Sequence, residues 1–142
     1  MPADFVHPVL GALAYDQGLN WYSADGASNS VPQLYLSLDE CPDEDVFIAQ
    51  ASRRLESLSA SIARAKGAAC SLLELANSEW LPEGATPMDA AGFMAKLTVD
   101  SATFYPDGTM DVIFRADDLF AGHGVIVSLD ADGQAIDAAI CG

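Results

Sequence analysis

The sequence predicts an α+β fold: an antiparallel meander sheet carrying a long helix, kinked or broken, and a second short helix on one face. Three observations predict it. Short alternating stretches open the chain, one long apolar stripe at helical spacing fills its middle, and strands punctuated by Asp-Gly turns close it.

At the start, "LGALAY" (10–15) and "LNWYS" (19–23) flank a turn at Asp16-Gln17-Gly18. Alternation sets Trp21 and Tyr22 on opposite faces of the second stretch. The run "ADGASNSVP" (24–32) reads as a loop, and "QLYLSL" (33–38) presents Leu34, Leu36 and Leu38 to one side. Pro42 and the acids of "DECPDED" (39–45) mark a helix start, where the macrodipole favours negative charge. From there Phe47, Ala51, Leu55, Leu58, Ile62, Ala65, Ala69, Leu72 and Ala76 form one stripe. Its many alanines suit a helix lying close on a sheet better than a coiled coil. A straight helix over 43–77 would span about 50 Å. A compact chain of this size is roughly 40 Å across. A kink or break is therefore expected, near Lys66-Gly67, because glycine weakens a helix interior.

"NSEWLPEGATP" (77–87) ends the helix, with Trp80 covering the edge of the core. A short helix follows, with Thr86 expected as N-cap and Pro87 at its first position. The stretches 97–105, 110–116, 124–129 and 134–141 then read as strands, joined in part by "PDGT" and "DADG" turns. The "DADG" stretch begins like a calcium loop but lacks the later ligands and flanking helices of one. No repeat, low-complexity tract or linker divides residues 1–142, so a single domain is expected.

Composition narrows the function. The net charge of −15 disfavours nucleic acid and anionic membrane as partners and favours a basic protein. Cys41, Cys70 and Cys141 are odd in number and widely spaced, which argues against a disulfide framework or a zinc ribbon and for buried thiols in a reducing cytoplasm. The opening residues lack the pattern of a signal peptide. Phosphate loops, nucleophile elbows and HExxH are absent, and no cofactor or metal is expected.

Two clusters stand out as candidate sites. In "RADDLFAGHGV" (115–125), Asp117, Asp118 and His123 could form an acid–base pair, a metal site or a recognition loop, with Phe120 beside them. The competing structural reading is a shaped turn in which Leu119 and Phe120 anchor the core and the glycines and His123 build the bend. Arg53, Arg54, Arg64 and Lys66 form a candidate basic patch on the long helix, or else pair with the chain's own carboxylates. Trp21, Tyr22, Tyr35 and Trp80 are core or a binding face.

Several of these residues fall together in a known pattern. Thr86-Pro87, Phe93, the string Asp117-x-Leu119-Phe120-x-Gly122-His123, Asp132-Gly133 and Gly142 resemble a bacterial domain-of-unknown-function family, number 2262. The early strand Gly11–Tyr15, the long helix and "NSEW" (77–80) are similar to it as well; Ala121 departs from the aromatic expected there. The resemblance implies a fold and a bacterial origin, and no activity. The sequence alone points to a non-enzymatic acidic binding module in the cytoplasm, in one form an immunity-type protein that neutralises a basic partner. The alternatives are a metal-dependent or acid–base enzyme built on Asp117, Asp118 and His123, and a structural or regulatory homo-oligomer; monomer and homodimer both remain open.

Overall fold

The computed structural model describes residues 3–25, 33–81, 83–116, 119–120 and 122–141. Most of the loop expected at 24–32, together with Asp117, Asp118, Ala121 and Gly142, lies outside them.

Eight strands form one sheet in chain order: β1 (Phe5–His7), β2 (Gly11–Asp16), β3 (Trp21–Asp25), β4 (Gln33–Ser37), β5 (Thr98–Phe104), β6 (Met110–Arg115), β7 (Gly124–Leu129) and β8 (Ala135–Cys141). The expected strands are present, and β1 adds a short one that no alternation in the sequence announced. Six of the seven pairings are antiparallel, but β4 and β5 run parallel, with Leu34 opposite Ala102 and Leu36 opposite Phe104. The sheet is thus mostly antiparallel, as expected, with one parallel seam. The long helical segment inserted between β4 and β5 is the kind of crossover that parallel neighbours need.

That segment is α1 (Glu44–Arg54), a 3-10 turn at Leu55–Ser57, α2 (Leu58–Ala69), a second 3-10 turn at Cys70–Leu72, α3 (Leu73–Leu75) and a π-helical turn at Ala76–Trp80. Asp43 caps α1 by accepting from the Val46 amide, Glu44 and Asp45 fill the first turn, and Arg53 and Arg54 the last, each sign suited to its end of the dipole. The irregularity does not fall at Lys66-Gly67, which lie inside α2. It falls at two of the stripe's three steps of three, Leu55 to Leu58 and Ala69 to Leu72, while the third, Ile62 to Ala65, stays within regular α2. Residues three apart align in a 3-10 turn, so both members of each pair stay turned toward the sheet. The exposed Gly67 meets nothing within 4 Å and needs no kink.

The short α4 (Ala90–Ala95) is capped by Asp89, which accepts from the Gly92 amide, and not by Thr86. A carboxylate in extended conformation one residue before the helix captures the cap.

The helices stack on the sheet face that presents Leu34, Leu36, Ala102, Phe104, Val112, Phe114, Val125, Val127 and Leu129, all buried with Phe47, Ala51, Leu58, Ala65 and Ala69. Ala65 and Ala69 are fully buried, which lets α2 lie close over β7 and β8. The Asp-Gly turns are three-residue loops closed by Gly108 and Gly133, whose amides donate to the Tyr105 and Asp130 carbonyls. Among the described residues no helix is long and apolar enough to cross a membrane.

Candidate functional site

Two of the stretches that carry the sequence resemblance meet in space. The π-helical turn ends in Trp80, whose half-buried ring stands edge-on to Phe120 (5.8 Å between centroids) and to His123 (6.3 Å). Phe120 is fully buried and also meets Phe93, while Leu119 is 6% exposed. The Leu119 amide donates to the Ala116 carbonyl and the His123 amide to the Phe120 carbonyl. Gly124 is required by a close approach: a Cβ there would sit 2.8 Å from the Phe114 carbonyl oxygen. Of the described turn residues, Gly122 is exposed and so is His123. It lines a depression of about 370 Å³ with Thr98, Arg115, Ala116, Gly122 and Gly124. Asn77, in the same π turn as Trp80, holds the Met88 amide and carbonyl at 2.9 and 3.0 Å and so fixes the approach to α4. Asp117 and Asp118 lie outside the described residues, and among those described no group of three or more His, Cys, Asp or Glu gathers to hold a metal.

The basic cluster of the long helix is only partly a surface feature. Arg54 donates to the Gly108 carbonyl and, at 3.4 Å, to the Asp130 carbonyl. It therefore ties both Asp-Gly turns to α1. Burial lowers its affinity for its proton, and Asp130 partly offsets this. Arg64 lies over the second turn, its Nη1 2.6 Å from where a Cβ on Gly133 would stand. Arg53 is exposed and Lys66 half-buried. The expected pairing with carboxylates is, for Arg54, a pairing with backbone carbonyls.

A third region was not legible as a cluster in the sequence. On the face away from the helices, pairing lines up Ser23, Tyr35, Thr103, Asp111, Ser128 and Asp137 across six strands. The Asp111 carboxylate is fixed from both sides: Tyr105 donates its hydroxyl to Oδ2 at 2.8 Å and Ser128 to Oδ1 at 2.7 Å. Burial first, and then that carboxylate, push the Tyr105 phenol far above its ordinary range. Thr109 donates its hydroxyl and amide to Asp107 and holds that carboxyl below its usual range. Asp39, Glu40, Asp107 and Asp111 line a depression of about 560 Å³ with Ser37, Tyr105 and Ile136, and no Lys or Arg lines it. Opposite Ser37 stands Trp21, stacked on Tyr35 with centroids 4.3 Å apart. Tyr22 points the other way, into the core, and donates to Glu44 at the start of α1. The three thiols are free and half-buried, less enclosed than expected.

These features define an α+β protein with a packed helical layer on one side of its sheet and an acidic, aromatic-bearing face on the other. The chain belongs to the family DUF2262, described as an uncharacterized protein conserved in bacteria, which matches residues 7–140. No curated protein and no solved structure matches it.

Proposed function

We propose that this protein is a non-enzymatic binding module of the bacterial cytoplasm that holds a basic protein partner on the outer face of its sheet. The observation that carries the reading is the outer-face depression, lined by four carboxylates without a cation; Ser37 of that lining pairs with Trp21, which stacks on Tyr35. Every Lys and Arg other than Arg115 stands on or at the end of a helix, and Arg115 is engaged with Asp100 at 3.8 Å. The charge of −15 accelerates encounter with a cationic surface, and the half-buried Trp21 and Tyr35 supply contact area that charge alone does not. One concrete form is immunity-type neutralisation, in which the acidic face fills the cleft of a cationic toxin such as a nuclease.

The test is capture of partners from the lysate of the encoding bacterium by the wild-type protein and by the double variant Asp39→Lys, Asp107→Lys. The expected result is a basic protein bound at fixed ratio, with affinity that falls as salt rises, and lost by the variant. A partner retained equally by both, with affinity indifferent to salt, would sink the reading.

A further inference from the structure

The two ends of the sheet are built differently. β1 is a three-residue edge, and His7 turns the chain away by accepting from the amides of Val9 and Leu10. β8 is a seven-residue edge, Ala-Ile-Asp-Ala-Ala-Ile-Cys, whose one described neighbour in the sheet is β7. An edge strand presents a row of N–H and C=O groups to any chain that can pair with it. Proteins blunt such edges with charge, proline, bulges or brevity; β8 carries a bulge at Ile136 and one charge, Asp137, and Ala138–Cys141 beyond them has neither.

We propose that a second copy of this chain pairs antiparallel with β8 about a two-fold axis normal to the sheet, joining two eight-stranded sheets into one. The strand suits its own copy. A two-fold pairing is self-complementary, so the same residues serve both sides. Asp137 is the one charge in β8, although the chain as a whole carries −15. With the axis at Ala138 or Ala139, Asp137 faces the second copy's Ala139 or Cys141 and never its own counterpart. Like charges directly opposite are what an edge pairing must avoid. On the helix side, Ala138 and Ile140 are half-buried against the core under α2, and the second strand covers their open flank. On the other side, Ile136 is 60% exposed. A seven-residue seam is smaller than the roughly 20–30 residues per side of a standard interface, which places the dimer in the weak, concentration-dependent class.

The experiment is sedimentation equilibrium of the full chain across the micromolar range, alone and as Ala139→Glu. In either register this substitution sets a carboxylate opposite another, at the second copy's Asp137 or at its own counterpart. The expected result is a mass that rises from 14.9 kDa toward twice that with concentration, and a dissociation constant raised about fivefold or more by Ala139→Glu. Backbone amide exchange of the wild type gives a second readout, with β8 amides slowing as concentration rises. A strictly monomeric wild type overturns the proposal, as does a dimer that Ala139→Glu leaves intact or one that leaves β8 amides unprotected. None of these outcomes bears on the basic partner, whose binding is read separately.

Discussion

The two faces of the sheet solve different problems with the same strands. In β6, Val112 and Phe114 point into the helical layer and are fully buried, whereas Asp111 and Ile113 point outward and are half-buried. The inner face is held by shape: aromatic rings and branched chains against a helix made close by alanines. The outer face is held by direction: Asp111 receives two hydroxyls and Asp107 one hydroxyl and one amide. A face fixed by hydrogen bonds keeps its carboxylates oriented while still showing them to solvent, which packing cannot do.

Three experiments break or sharpen this contrast. The largest effect belongs to Phe114→Ala, which opens a cavity in the inner face and costs about 3–5 kcal/mol. The neighbouring Ile113→Ala on the outer face costs roughly 1 kcal/mol. Urea unfolding of the two variants measures the difference, and equal losses would mean the faces are packed alike. Next is Arg54→Ala, which strands the Gly108 and Asp130 carbonyls and costs about 1.5–3 kcal/mol. Faster exchange at the amides of Gly108 and Gly133 would show that both turns have loosened; a change at one turn alone would mean that Arg54 serves only that one.

The smallest effect is confined to alkaline solution. Burial and Glu44 hold the inner-face Tyr22 phenol above its ordinary 10.0, and burial and Asp111 do the same for outer-face Tyr105. Below that value both folded and unfolded chains keep these protons. Above it the unfolded chain releases them first, so stability falls as pH rises. Tyr22→Phe and Tyr105→Phe are each expected to remove part of that slope, read from unfolding midpoints on either side of 10.0. A slope unchanged in both variants would assign the alkaline loss to other groups.

Much of the inner face was legible in the sequence, because burial enforces period. Leu34, Leu36 and Leu38 alternate as a half-buried strand must, and the helix stripe named residues that the core contains. The place of the break was not legible in the stripe, whose steps of three fall at both 3-10 turns and also at Ile62–Ala65 inside regular α2, nor at Gly67, whose cost the packed helix absorbs. The outer face was illegible for a different reason. Tyr35, Thr103, Asp111 and Ser128 stand far apart in the chain and become a row only through register, which alternation does not encode. The parallel pairing of β4 with β5 was hidden for the same cause. The His123 turn was found by its unusual residues, and its contact with Trp80 depends on a π-helical turn that no spacing marked.

The β4–β5 pairing has a consequence for how the chain acquires its shape. Among the described residues, every other pair of neighbouring strands is consecutive in sequence without a helix between, so most of the sheet is assembled from nearby partners. Gln33–Leu36 and Ser101–Phe104 instead meet only after the whole helical segment has been folded back between them. Within the sheet, that seam joins the neighbouring strands that lie farthest apart in the chain. The loop-closure entropy falls there too, and contacts of that kind set the pace of folding. The sheet is thus two quickly formed ribbons and one slow suture, with the helical layer acting as the thread that draws it shut.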